Sequence, residues 1–423
     1  MENLYKQILL KTPMVILLKI LPPLGILSLN LYLAMHMTPN DYGNYSIGFS
    51  QFLFFGPILT LGLSEVVLRK TAIFFNKNDE KKANYLFCVC IVICCLFGTT
   101  FSLLLWMFNE DGGFSKIPIL SPIIALGLIY SARYRGLGGV FSGQVFETIF
   151  RSTLAIILLF YIITFQNPLI HLYDVFIIVF IINMVIFYHY FPVKIGDMSS
   201  NFNQGLSRYF NYRFLKVLMK NAFPNMIITL VQGLKNFGDI FVVAIILGST
   251  SVATYSIAIQ IVVIMSLVQM AISIVTSNAI SVNMKIKNYE KVRKLYLFNV
   301  KISLSFSLLF FIVLILLGDF FINKFLGESY EKAYFLCIIL CLGRLVHSFI
   351  GPVMQVLILS NNQLSASKVT AYIAVSNIIL CFISAELFGI FGLATTTSII
   401  FVFWSIMLKR VLIKTIPLLN LRI

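Results

Sequence analysis

Two residues that can carry charge, Lys235 and Asp239, stand four apart inside an apolar run and beside Gly233 and Gly238. Spacing of four puts both on one face if the run is a helix. Glu147 and Arg151 repeat the pattern in a second apolar run, and Arg344 sits alone near the middle of a third, three residues before His347. Lys19 lies in a fourth, next to Pro22, Pro23 and Gly25. The chemistry open to such a set is binding, not bond breaking. Buried cations recognise an anion by charge-assisted hydrogen bonds, and buried carboxylates can neutralise them or titrate. Blander readings stand beside these: Glu147 and Arg151 as a self-neutralising pair, and Lys19 reaching back to the membrane surface near Lys11. Arg344 is too far from either end of its run for that escape. Glu65, Asp174 and Asp319 stand at span ends, where interfacial water explains them.

Groups for covalent catalysis are not in evidence. His36, His171 and His189 stand at or near span ends without a close catalytic partner, and Arg135-Gly-Leu-Gly-Gly139 follows no strand as a phosphate loop would. The cysteines, Cys88, Cys90, Cys94, Cys95, Cys337, Cys341 and Cys381, all lie in apolar runs without His or acid at ligand spacing. They read as small hydrophobes, and no metal or cofactor is expected.

The elements that position the charges follow from composition. Of 423 residues, 59% are apolar and only 11% charged, with a mean hydropathy of +0.94. A soluble chain carries about 25% charged residues; this one has too few to cover a soluble surface. That excludes a cytosolic enzyme, a secreted disulfide scaffold and a disordered protein. Runs long enough to cross a bilayer, about 20 residues, occur near 13–37, 43–68, 83–108, 117–135, 141–165, 171–193, 217–247, 252–280, 297–322, 332–360, 366–388 and 389–413. In lipid these must be helices. No small-residue cleavage site follows the first run, which is read as a retained span.

The net charge of +16 is mostly topological. With the N-terminus inside, cytoplasmic segments collect 24 cations, including Arg69, Lys70, Lys81, Lys82, Arg133, Arg135, Lys291 and Lys294, against Lys116, Lys324 and Lys332 outside. This asymmetry predicts both termini in the cytoplasm and draws support away from a nucleic-acid partner. A half-length repeat appears at an offset of 210: Tyr45-Ser46-Ile47 with Tyr255-Ser256-Ile257, and Lys77-Asn78-x-Glu80-Lys81 with Lys287-Asn288-x-Glu290-Lys291. The expected organisation is an N-terminal six-helix lobe (1–198), a cytoplasmic linker (199–216) and a C-terminal six-helix lobe (217–423). Pro23 then corresponds to Gly233. Pro22, Pro23, Gly233 and Gly238 become candidate hinges, because interrupted helices in matching places of two halves point to a transport site.

Thr38-Pro-Asn-Asp-Tyr-Gly-Asn-Tyr-Ser46 resembles the turn between the first two spans of the polysaccharide exporters. Leu61-Gly-Leu63 with Arg69, Leu247-Gly-Ser-Thr-Ser-Val-Ala-Thr-Tyr-Ser256 and Phe388-Gly-Ile-Phe-Gly-Leu-Ala394 are similar to later motifs of the same group. The chain is identified as a member of the O-antigen flippases of the multidrug/oligosaccharidyl-lipid/polysaccharide exporter superfamily. The resemblance implies an all-α polytopic membrane protein with twelve helices in two six-helix lobes around a V-shaped cavity. It implies translocation of an undecaprenyl-diphosphate-linked oligosaccharide across a bacterial inner membrane by alternating access. A proton or sodium ion would be the coupling ion, with the polysaccharide polymerase and chain-length machinery as partners. On that picture Lys19, Arg151, Lys235 and Arg344 contact the anionic headgroup, while Glu147 and Asp239 are charge partners or coupling groups. Gln232, Asn236, Gln260, Gln269 and Asn278 offer hydrogen bonds to sugars. The rivals are a drug or cation antiporter of the same superfamily, which would need a net acidic binding lobe, and a membrane polymerase or glycosyltransferase, which would carry a large exterior loop.

Overall fold

The computed structural model describes residues 23–108, 114–137, 212–360 and 362–417. All regular elements among them are helical. Residues 23–36 form α1, followed by α2 (Pro39–Ile58), α3 (Leu63–Asn76), α4 (Glu80–Phe108) and, after a 3₁₀ turn at Phe114–Leu120, α5 (Ser121–Gly136). Then come α6 (Tyr212–Leu247), α7 (Ser249–Lys285), α8 (Tyr289–Leu326), α9 (Glu331–Ile350), α10 (Val353–Leu359) and α11 (Gln363–Thr415). Seven of the described helices are long and apolar enough to cross a membrane, or eight if the bent pair α2–α3 counts as one span. The chain is a multi-pass membrane protein. Its outward side chains suit lipid: Met107, Ile245, Leu316 and Phe388 are all about 70% exposed. The expected spans 141–165 and 171–193 and most of the linker lie outside the described residues.

Two apolar runs are broken, and two others joined, where the backbone demands it. The run 43–68 is bent by 41° between α2 and α3. Leu61 and Gly62 both take positive φ there, and Pro57 has already removed one ladder donor. The freed groups find partners: Thr60 Oγ1 donates to Pro57 O at 2.7 Å, and Cys94 Sγ lies 3.4 Å from Leu59 O. The run 332–360 ends one helix at Ile350, because Gly351 has φ 92° and Pro352 cannot donate. The Tyr296 hydroxyl caps the released Ile350 carbonyl. In α11 the two last runs join through Gly389, whose φ 63° and ψ −151° make the turn between them.

The chain divides into two compact units. One comprises Met1–Ile47 with Val231–Ile423, the other Gly48–Leu230. In the first, Tyr296, Val300, Val356, Leu357, Trp404 and Leu408 build a core shared by α8, α10 and α11. In the second, Val66, Val67, Phe87, Cys90, Ile129, Leu218 and Ala222 pack α3, α4 and α5 on the start of α6. Gly62 belongs to that packing: a Cβ there would stand 2.3 Å from Ala222 O and 2.6 Å from Met226 N. Gly62→Ala therefore meets backbone, not a movable side chain. We expect a loss of about 1–3 kcal/mol, read as a lower unfolding temperature in detergent; an unchanged transition would contradict the packing.

The half-length repeat is visible in local geometry, with one correction. Helices α2 and α7 begin 210 residues apart, at Pro39 and Ser249. The loops that follow are out of step with the sequence match. Asn78 and Lys287 hold the positive-φ position. Asp79 and Asn288 then each accept a hydrogen bond from the backbone three residues on, at 3.2 Å. The structural offset has fallen to 209, because the bend at 59–62 absorbs one extra residue in the first half. Lys82 Nζ, 2.7 Å away, together with its own N–H, holds the exposed Asp79 carboxyl below the usual carboxylate range.

Candidate functional site

The charged residues that the sequence singles out and the structure describes converge in the first unit. Lys235 and Asp239 project from α6, Arg344 from α9, and both cations meet the aromatic rings of the second half of α11. Lys235 Nζ stands 3.7 Å from the centroid of Trp404 and 5.9 Å from that of Phe401. The Arg344 guanidinium lies 4.4 Å from the Phe401 centroid, and its Nη1 donates to Ser266 Oγ of α7 at 3.1 Å. Two cations thus share one ring. Each gains cation–π attraction, about 1–2 kcal/mol when partly desolvated.

The rings are fixed from behind. Trp404 Nε1 donates to Thr370 Oγ1 at 3.1 Å, and that hydroxyl donates to Ala366 O. His347, one turn beyond Arg344, stacks on Trp404 with centroids 5.5 Å apart and planes 22° apart. Its Nδ1 lies 2.7 Å from Ser405 Oγ. Ser405 gives its own proton to Phe401 O at 2.9 Å, so the imidazole is the donor in that pair. Residue type and spacing do not mark Phe401 or Trp404, and they bring in His347 only as a neighbour of Arg344. The available signal was that one of only two tryptophans lies deep inside a span.

Asp239, four residues on from Lys235, is not within ion-pair distance of it. Its carboxylate, 7% exposed, accepts from the Tyr255 hydroxyl at 2.9 Å and from Ile240 N at 2.9 Å. Tyr255 Oη in turn lies 3.4 Å from Thr397 Oγ1, which is 3.5 Å from Cys381 Sγ. Among the described residues no carboxylate reaches ion-pair distance of Lys235 or Arg344. The arrangement is therefore a buried carboxylate tied to hydroxyls, beside two cations that no described carboxylate meets at ion-pair distance. It can hold an anion on the cations and a small cation or proton on the carboxylate. No group of three His, Cys, Asp or Glu among the described residues is placed to hold a metal ion.

Gly233 and Gly238 lie within a continuous α6, and Gly238 faces Ile378 across a close helix contact. Pro23 opens the described part of α1. Lys19, Pro22, Glu147 and Arg151 lie outside the described residues.

With this geometry in hand, known proteins give a consistent frame. A family model described as "Polysaccharide biosynthesis protein" matches residues 32–334. Among solved structures, an inward-facing conformation of a multidrug resistance MATE family transporter of the MOP superfamily aligns with a TM-score of 0.74 at 15% identity, covering 94% of this chain and 95% of that one. The outward-facing conformation of a transporter with the same description aligns at 0.62 and 14% identity, covering 96% of each chain. A MOP superfamily transporter from Pyrococcus furiosus Vc1, described as having a binding pocket of reverse polarity that suggests a different function, aligns at 0.63 and 14% identity, covering 97% and 95%. No match was found among the curated proteins. At such identities the likeness establishes a MATE-like fold.

Proposed function

We propose, from the premise that the chain belongs to this polysaccharide biosynthesis protein family, that it is a flippase and not an enzyme. Its substrate is an undecaprenyl-diphosphate-linked oligosaccharide, an O-antigen or related repeat unit, moved from the cytoplasmic to the periplasmic leaflet of a bacterial inner membrane. The observation that supports the reading is the pair Lys235–Arg344, out of ion-pair contact with any described carboxylate and seated on Phe401 and Trp404. A diphosphate presents several anionic oxygens and would take charge-assisted hydrogen bonds from both. The lipid tail stays in the bilayer, so only the headgroup needs a polar path. A drug or cation antiporter would place acid where these cations stand. The reverse polarity of the binding pocket described for the Pyrococcus furiosus transporter, with the different function it suggests there, supports this distinction.

In this reading twelve spans form a six-helix lobe (1–198), a linker (199–216) and a second lobe (217–423) around a V-shaped cavity, with both termini cytoplasmic. Lys19 and Arg151 join the cations, and Glu147 joins Asp239 as a coupling group for a proton or sodium ion. Rocking of the lobes, with Pro22, Pro23, Gly233 and Gly238 as hinges, alternates access. The polymerase and chain-length machinery receive the product.

The test is reconstitution in liposomes with labelled lipid-linked oligosaccharide, following leaflet exchange with and without proton or sodium gradients. Robust drug efflux without lipid exchange would favour the antiporter. Asp239→Asn tests the coupling role separately. It keeps a partner for Tyr255 but removes the charge, so exchange should persist while its acceleration by a gradient disappears. Full acceleration in the variant would remove Asp239 from coupling.

A further inference from the structure

Helix α6 exposes two faces of opposite chemistry. Phe223, Ile227 and Ile245, 57%, 46% and 72% exposed, share one side at 3.6 residues per turn. Asn225, Thr229, Gln232 and Asn236 fall on the other side. The apolar side suits lipid, which assigns the polar side to water or to a polar ligand, because an amide left bare in hydrocarbon is costly.

The four polar residues are not equivalent. Thr229 Oγ1 donates to Asn225 O at 2.9 Å, and Asn225 Nδ2 donates to Asn221 O at 3.2 Å, so both are closed by the helix itself. Gln232 and Asn236 are exposed and make no hydrogen bond to any described residue. They stand one turn apart, about 6 Å along the axis, and Asn236 directly follows Lys235, whose ammonium rests on Trp404.

We propose that Gln232 and Asn236 are the saccharide-recognising pair of the transport path. They bind hydroxyls of the neutral sugars while Lys235 and Arg344 hold the anionic linkage; this rests on the flippase reading above. An amide offers two donors and an acceptor, which a hydroxyl-rich ligand can use from any side. A phosphate only accepts and an apolar drug does neither. A ligand that uses the amide donors, the amide acceptors and the adjacent cation together carries hydroxyls beside an anion, as an oligosaccharide on a diphosphate does. Two separate amides, with no enclosing cage, also let the sugar leave.

The test uses the full-length protein and its Gln232→Leu/Asn236→Leu variant in liposomes. The probes are undecaprenyl diphosphate carrying a tetrasaccharide and undecaprenyl diphosphate carrying no sugar. The variant should lose about tenfold or more in exchange of the tetrasaccharide lipid and stay within about twofold on the sugar-free lipid. Gln232→Ala/Asn236→Ala, which adds no bulk, should reproduce the selectivity, and Gln232→Asn/Asn236→Gln should keep most of the activity. Wild-type exchange of both lipids by the Leu and Ala variants would overturn the pair while leaving the flippase reading intact, as would an equal loss on both. A wild-type protein that moves neither lipid overturns the flippase reading and the pair together.

Discussion

Arg344→Gln and Lys235→Gln should each cut exchange of lipid-linked oligosaccharide by about 10–100-fold, and the double variant should fall to background. The estimate assigns each cation a charge-assisted hydrogen bond to the diphosphate, about 1.5–3 kcal/mol. Folding should survive. Arg344 makes one side-chain hydrogen bond, to Ser266, and Lys235 makes none to a described residue, so the losses are mainly ring contacts. Removing a buried cation also relieves a desolvation cost. Arg344→Lys should be intermediate, since an ammonium keeps the charge but loses the planar stack on Phe401. Trp404 supplies an independent readout. In a Trp106→Phe background it is the sole tryptophan, and inorganic pyrophosphate arriving beside Lys235 should change its emission. Wild-type exchange by both neutral variants, with an unaltered Trp404 response, would sink the cation-pair proposal.

Why those two residues were visible in the sequence, and their rings were not, is a matter of cost. A cation inside a 20-residue apolar run stands out because lipid penalises it, and Arg344 and Lys235 needed no partner to be noticed. Phe401 and Trp404 are ordinary residues for a span, and only the return of α11 at Gly389 brings Trp404 to Thr370 and to Lys235. The partner of Asp239 stays open in the sequence for a related reason. Spacing of four permits an ion pair with Lys235 but does not choose it over Tyr255, 16 residues on across the turn into α7. Among the described residues helix positions are legible, since periodicity and length are local. The bends at 59–62 and 351–352 were legible as Gly and Pro but not as breaks. Whether a helix bends there depends on neighbours such as Cys94 and Tyr296 that can take up the released carbonyls.

Substitution of Gly43 should be as damaging as loss of either cation, by a different route. A Cβ at Gly43 would stand 1.9 Å from Ser249 O, 2.5 Å from its carbonyl carbon and 3.1 Å from its Cα. All three are backbone, so no rotamer relieves the overlap. Shifting α2 is no escape, because its start is held by reciprocal capping: Thr38 Oγ1 donates to Asp41 Oδ2 at 2.7 Å and accepts from Asp41 N at 3.2 Å. The Ser249 hydroxyl further pairs with Asn40. Losing such a cap alone costs about 1 kcal/mol, and overpacking adds about 1–3. Gly43→Ala should therefore lower the unfolding temperature, and Gly43→Val should lower it further. The junction joins the starts of α2 and α7, which are repeat-equivalent; on the proposed topology both face the exterior. If the cycle parts them, the same variants disfavour whichever state holds them together, and Asn40→Cys should react faster with a membrane-impermeant thiol reagent. Unchanged stability and unchanged labelling in Gly43→Ala would mean the close approach does not exist. The repeat itself argues that it does. Ala253 occupies the position 210 residues on from Gly43 and is fully buried with its Cβ in place. Only one member of the pair has to be bare for the two helix starts to touch.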